Sequence, residues 1–271
     1  MSIAPSARIH STAIISPHVE IADNVEVGAF AVLDGKIRIG PDCVIRPGAY
    51  LFGDITMGRG NQVFSGAVLG EKPQSIRYNN EPTNLVIGDG NVFREHCTIH
   101  RGTTAAMTTR IGNNNFLMAS SHVAHDCVVG NRCIFANGAL LAGHCVVEDN
   151  VFLSGNIAIQ QFVRVGRLAM LGGGGLSTKD IPPFIIQQSY NVVVGINVVG
   201  MRRAGVSTEQ IAAVRRAYHI LFRERRVFPS ALETMEKEMG HVDVIQEMLV
   251  FLKKCPKGIN STEHRFHSDA A

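Results

Sequence analysis

The chain has 271 residues, 45% hydrophobic and 18% charged, with a formal net charge of +3. That suits a soluble globular protein of one large or two modest domains and is too nearly neutral to point to nucleic acid. The opening MSIAPSARIH has no apolar signal core and no apolar run approaches the roughly 20 residues of a membrane span, so a cytoplasmic protein with no transmembrane segment and reduced cysteines is expected.

From Ile3 an aliphatic residue or Phe recurs at every sixth position. The series runs through Ile9, Ile15, Ile21, Val27 and Leu33 to Leu69, returns at Ile87, Phe93 and Ile99, and continues from Ile111 to Leu171. Only Ser75, Glu81 and Ala105 break it. A period of six is neither the 3.6 of a helix nor the 2 of a strand. It predicts a parallel β-helix of short strands on three flat faces, with about eighteen residues per coil. The stretches 72–86 and 103–109 interrupt the pattern without losing its phase and read as loops thrown out from the coils, where function is commonly carried.

After Leu171 the run GGGGLSTKDIPPF ends the prism, and its glycines fit no nucleotide-binding fingerprint. A helical domain is predicted beyond it, giving a division at 1–189 and 190–271. Ser207 to Gln210 reads as a capping box before a helix face of Ile211, Val214, Tyr218, Leu221 and Phe222. A second helix is expected to start at Ser230, and a third over Val244 to Leu252 before Pro256. Residues 201–226 hold seven arginines against two glutamates, a local excess suited to an acidic partner or to a solvated helix face.

Three histidines and two cysteines fall in residues 122–145, HVAHDC and GHC. Cys43, Cys97, Cys127, Cys133 and Cys145 share one phase of the repeat with Ala7, Ala13, Ala31, Ala49, Ala67 and Ala169, so they read as small buried fillers. The spacing of a zinc–thiolate site is absent, and no metal is expected. The histidines differ. With an eighteen-residue coil, Asp126 stacks under His144 and His125 under Gly143, while His122 lies on the strand leading to that edge. A histidine pair with an adjacent carboxylate and a glycine amide one coil above is a catalytic candidate.

The segments GEKPQSIRYNNEPT (70–83), TIHRGT (98–103), HVAHDCVVGNRC (122–133), LAGHCVVED (141–149), DIPPF (180–184) and GINVVGMRRAG (195–205) resemble those of the UDP-N-acetylglucosamine O-acyltransferases that begin lipid A synthesis. The resemblance covers nearly the whole chain in order. It implies a mostly β fold, a left-handed parallel β-helix with a C-terminal α-helical domain, assembled as a homotrimer with active sites between neighbouring prisms. It implies transfer of a fatty acyl or 3-hydroxyacyl group from acyl carrier protein to the 3-position of the sugar. No cofactor is implied beyond the donor's own phosphopantetheine thioester. By this resemblance His125 is the general base, Asp126 its orienting carboxylate and the Gly143 amide the oxyanion donor. His122, His144, Gln161, Gln160, Ser75, Arg77, Asn197 and Arg203 would contact substrate, and Gly173 would act as the acyl-chain ruler. The arginines of 202–226 would meet the acidic carrier protein.

Four positions depart from the family's pattern. Ser75 stands for an Asp, Gln160 for a His, Val199 for a Glu and Ala204 for a second Arg. All four belong to sugar-nucleotide recognition, which leaves open an acceptor with a 3-amino group, or a sugar-nucleotide-binding homologue of weakened activity. A coenzyme A-dependent hexapeptide acetyltransferase would share the fold without this histidine pair or this helical tail. A γ-type carbonic anhydrase would place its zinc-binding histidines at other spacings.

Overall fold

The inward-facing sixth residues set the architecture seen in the computed structural model, which describes residues 2–262; the end of the 190–271 segment lies outside the described residues. Each coil carries three two-residue strands, such as Val128–Val129, Ile134–Phe135 and Leu140–Leu141. Each strand pairs in parallel with the one a coil later: Val129 with Val147, Phe135 with Leu153, Leu141 with Ile159. The second residue of each pair points inward, and from Ile21 to Leu171 every aliphatic or Phe position of the repeat is buried. The first coil differs. Ile3 is exposed, and Ile9 and Ile15 are half-buried, because no coil lies beneath them.

The corners need a left-handed residue, and Asn, Asp and His supply many of them, with φ of +58° at Asn24, +62° at Asp126 and +61° at His144. These are the side chains that tolerate that region best after glycine. Buried asparagines stack inside one edge. Asn91 donates its backbone N–H (2.9 Å) and side-chain amide (3.0 Å) to Asn61 Oδ1, Asn115 does the same to Asn91 Oδ1, and Cys133 N–H donates to Asn115 Oδ1.

The two loops explain how the phase survives. Asn61 and Asn91 are stacked neighbours 30 residues apart, and Asn91 and Asn115 are 24 apart, against 18 elsewhere. The insertions thus amount to twelve and six residues, whole hexapeptides. The first loop is shorter than 72–86, because the strand Asn84–Ile87 already belongs to the ladder. Arg101 ties it down, donating to Gly70 O (2.9 Å) and Tyr78 Oη (3.2 Å).

At the top, the DIPPF segment closes the last coil. Ile181 bridges to Val165, and Pro183 lies against Gly166, where a Cβ would come within 2.4 Å of the Pro183 nitrogen. The strands Ile185–Gln188 and Val192–Ile196 then form an antiparallel hairpin. Among the described residues four helices follow: α1 Val198–Arg203, α2 Thr208–Phe222, α3 Phe228–Met239 and α4 Asp243–Leu252. The capping box at Ser207 and Gln210 is present. The second predicted helix begins at Phe228 rather than Ser230, because Pro229 occupies the first turn, where a missing N–H costs nothing. Helix α1 is too short to show periodicity in the sequence. Leu168 and Phe184 of the prism share one apolar core with Met201, Val214, Met235 and Leu249 of the helices. Arg167 seals the joint, donating to both Glu247 carboxylate oxygens at 2.8 and 2.7 Å. Among the described residues no helix is long and apolar enough to cross a membrane.

The asparagine stack yields a test. Replacing Asn91 with Ala leaves Asn61 Oδ1 only the backbone N–H of residue 91, takes the side-chain donor from Gly112 O, and removes the acceptor of the Asn115 backbone N–H. Each orphaned group costs about 1–3 kcal/mol. Asn91→Ala is therefore expected to lower unfolding free energy by about 3 kcal/mol in urea titration. A loss well under 1 kcal/mol would show that the stack does not support the prism.

Candidate active site

The strand His122–Val123 runs into a corner formed by His125 and Asp126. Asp126 is held from four directions. Its backbone N–H donates to Thr109 Oγ1 (2.8 Å), its Oδ1 accepts the Thr103 N–H (2.9 Å), and its Oδ2 accepts the Thr103 hydroxyl (2.7 Å). Its Oδ2 also lies 2.8 Å from His125 Nδ1. An ionised carboxylate only accepts, so Nδ1 is the donor in this bond, and a neutral imidazole held this way has its lone pair on Nε2. The Asp126 side chain is 2% exposed, which keeps this bond out of water.

One coil up, Gly143 lies against the ring. A Cβ there would stand 2.5 Å from His125 Cε1 and 2.8 Å from Nε2, so only glycine lets the imidazole lie where it does. Among the described residues the Gly143 N–H donates to no protein acceptor, although the residue is buried. A buried donor of that kind calls for an explanation, and a hydrogen bond to something outside the fold is one. His144 meets His125 edge-on with ring centroids 5.2 Å apart, and its Nε2 lies 3.5 Å from Asp126 Oδ2.

On the strand side, His122 Nδ1 is hydrogen-bonded to Thr98 Oγ1 at 2.7 Å and its ring meets His100 edge-on at 5.0 Å. His100 is buried, its Nδ1 has no partner, and burial followed by repulsion from His122 and His125 pushes its pKa down to about 4. Burial, then His125, also lowers His122. This cluster is therefore neutral near pH 7.

The ligand atoms of His125, Asp126 and His144 lie within 4.8 Å of one another, a spacing that could hold a cation. A cation would have to compete with the Thr103 and His125 hydrogen bonds that already fill the carboxylate. The five cysteines in phase with the repeat are all buried in the prism core, and burial pushes the thiols of Cys97 and Cys133 up to about 12.

Comparison with known proteins bears directly on this corner. The family model described as UDP N-acetylglucosamine O-acyltransferase, domain 2, matches residues 180–260, and the bacterial transferase hexapeptide model matches 18–53 and 108–143. A relative from Thiobacillus denitrificans, named acyl-acyl-carrier-protein–UDP-N-acetylglucosamine O-acyltransferase, is 42% identical over 255 residues, 93% of this chain and 99% of its own. The chain belongs to the UDP-N-acetylglucosamine O-acyltransferase family. A relative of the same name from Halorhodospira halophila is 41% identical over 93% of this chain and 98% of its own. The solved UDP-N-acetylglucosamine acyltransferase of Francisella novicida superposes with a TM-score of 0.89 at 31% identity, covering 93% of this chain and 94% of that one. The Arabidopsis enzyme gives 0.78 at 31% identity, over 95% and 99%. The prism is accordingly the left-handed parallel β-helix of hexapeptide transferases.

Within one acyltransferase chain, not all of the expected site residues meet. His122, His125, Asp126, Gly143 and His144 form one cluster. Gln160 and Gln161 are exposed at the same corner one coil higher. Ser75 and exposed Arg77 lie in the projecting loop, where Ser75 Oγ accepts the Arg77 N–H at 3.4 Å, and no hydrogen bond, ion pair or ring contact joins either to the histidines among the described residues. Asn197 is occupied within the fold. It caps α1 by accepting the Gly200 N–H (2.9 Å) and donates to Leu168 O (2.9 Å), so its placement is that of a helix cap. Arg203 is exposed in the last turn of α1, with Val199 exposed on the same helix and Ala204 at its C-cap. Gly173 sits at the corner stacked on Gly155, and a Cβ there would meet only the Gly155 carbonyl closely, at 3.0 Å. Of the seven arginines, Arg216 and Arg226 pair with Glu224, Arg216 also with Glu238, and Arg223 lies over Tyr218. Arg202, Arg203, Arg215 and Arg225 have no acidic partner among the described residues. Nothing in the repeat singles out Thr98, His100, Thr103 or Thr109 as single residues, although Thr98, His100 and Thr103 fall within TIHRGT.

Two outcomes follow. Gly143→Ala is expected to push the His125 ring aside and lower turnover about a hundredfold with the fold retained, since a displacement near 1 Å costs that much; full activity with a normal circular dichroism spectrum would show the ring position to be unimportant. Because His100 titrates in the folded chain at about 4 rather than 6.5, unfolding takes up a proton between those values. Stability should therefore be complete above pH 6.5 and fall as pH drops toward 4. Thermal melts of His100→Gln should show a shallower fall over that window, and an unchanged slope would assign the loss to other groups.

Proposed function

We infer that this protein transfers an acyl group from the thioester of acyl carrier protein to the 3-hydroxyl of UDP-N-acetylglucosamine, the opening step of lipid A synthesis. The observation that carries the reading is the buried 2.8 Å bond between His125 Nδ1 and Asp126, with Gly143 against the ring, in a chain 42% identical over nearly its full length to a relative named for that reaction. A sugar hydroxyl is a poor nucleophile near pH 7, and a neutral imidazole is a base suited to it. In this reading His125 Nε2 takes the hydroxyl proton as the oxygen attacks the thioester carbonyl. The Gly143 N–H donates to the resulting oxyanion, and Asp126 stabilises the imidazolium. The intermediate then collapses, the carbon–sulfur bond breaks, and the departing thiolate recovers the proton from His125. The scheme needs no cofactor, the phosphopantetheine thioester being a substrate, and it suits an enzyme of the cytoplasm.

The acceptor atom is oxygen in the names of the relatives, which favours the hydroxyl over a 3-amino sugar. Gln160 and Gln161 would hydrogen-bond the acceptor above the base. The acyl chain would lie along the outward ladder that leaves His122 through Leu140, Ala158 and Leu176, beside the corner that carries Gly173. An open glycine corner there accommodates a medium-to-long chain.

A homotrimer completes the picture. The projecting loop ends in fully exposed Ile76, and Ser75 and Arg77 beside it reach no histidine of their own chain. Below His122 the same outward ladder continues through Thr98 to Val68, Tyr50, Val32 and Ile14. A neighbouring prism set against that face would cover apolar surface and bring its own loop to the site. The unpaired arginines Arg202, Arg203, Arg215 and Arg225 would meet the acidic carrier protein.

The test is an acyl-transfer assay with a panel of acyl carrier protein conjugates, offering both the 3-hydroxyl and the 3-amino sugar nucleotide. Transfer to the hydroxyl is expected, with His125→Ala slower by roughly 10²–10⁴-fold. Exclusive transfer to the amine, or a fully active His125→Ala, would overturn the assignment.

A further inference from the structure

The edge that carries His125 continues upward as a line of rings. His144 meets His125 edge-on at 5.2 Å, and Phe162, one coil higher, stacks on His144 with centroids 4.6 Å apart and planes within 6°. The Lys257 ammonium stands over the Phe162 ring, 5.6 Å from its centroid. We propose that Lys257 is a phosphate-binding residue of this active site, a role that rests on the acyl-transfer reading above.

Four observations support it. Phe162 is 49% exposed and has a φ of +66°, a conformation costly for a bulky side chain and better suited to Asn or Gly. With His144 at one face and the ammonium near the other, it works as a spacer that holds a cation at a set height above the base, by an attraction between ammonium and ring. The segment bearing Lys257 is pinned to the prism on both sides of that residue. Asp180 N–H donates to Gly258 O (2.9 Å), Asn260 N–H donates to Asp180 O (3.3 Å), and the Arg164 guanidinium donates to Lys254 O while lying 4.1 Å from the centre of the Phe251 ring. Lys257 has no ion-pair partner among the described residues. Asp180, the carboxylate on the strand to which its segment is bound, is buried and accepts the Arg164 backbone N–H at 2.8 Å.

An unpaired cation fixed on the catalytic edge, above two exposed neutral glutamines, fits an anion brought by a substrate. Both substrates bring phosphate: the diphosphate of the sugar nucleotide and the phosphodiester of the pantetheine arm. A charge-assisted hydrogen bond from an ammonium suits either.

Full-length wild type, Lys257→Met and Lys257→Arg separate the two sources. The methionine keeps the aliphatic stem against Phe162 and removes only the charge. Dissociation constants are measured for UDP and uridine, and for 4′-phosphopantetheine and pantetheine. Lys257→Met is expected to weaken one phosphate-bearing ligand about tenfold or more, to leave its phosphate-free counterpart unchanged, and to be rescued by arginine. The affected pair names the source. Unchanged affinity for both phosphate ligands, or equal losses with and without phosphate, would overturn the proposal. Since these are binding measurements, they read Lys257 whether or not the wild-type protein transfers an acyl group, which the assay above decides separately.

Discussion

Everything in this molecule depends on the parallel backbone ladder that sets each residue over the one a coil below. The ladder satisfies the peptide groups of two-residue strands that could not stand alone. It also turns sequence position into height and azimuth, so residues eighteen apart become contacts. The buried asparagine stack, the corner columns and the ring series at the histidine edge are all products of this one register. The same constraint admits insertions readily only in whole hexapeptides, because any other length would turn inward-facing aliphatic residues out to solvent.

The histidine corner uses that rigidity. His125 and Asp126 are adjacent in sequence, and it is the left-handed backbone of Asp126 that turns the chain there. The inserted six-residue loop carries Thr103 back onto the carboxylate, so an irregular segment fixes the charge that a regular segment presents. Gly143 contributes twice to this corner: its missing side chain makes room for the imidazole, and its buried amide donates to no protein acceptor among the described residues.

The prism and the stacked histidine edge were legible in the sequence because a strict repeat converts directly into geometry. The cysteines were legible for the same reason, since their phase matched alanines. Thr103 was not: it reaches Asp126 across a 23-residue separation lengthened by a loop, where coil arithmetic fails. Phe162 and Lys257 meet over 95 residues through a tail whose path no periodicity fixes. The arginine excess at 202–226 overstated the free charge, because pairing partners such as Glu238 lie outside that window. The capping role of Asn197 was not legible, because a helix of only six residues gives no pattern to reveal its cap.

The shared core of Leu168, Phe184 and the helices has a consequence at the scale of assembly. A parallel β-helix ends in open strand edges, and an uncovered last coil would be a template on which another chain could continue the stack. The antiparallel hairpin Ile185–Gln188 with Val192–Ile196 reverses the strand direction there, and the helical layer packs over Leu168 and Phe184 beside it. The ladder is thus made finite in the upward direction. Removing the hairpin and the helical layer would therefore turn a bounded prism into one open to end-to-end growth from its top.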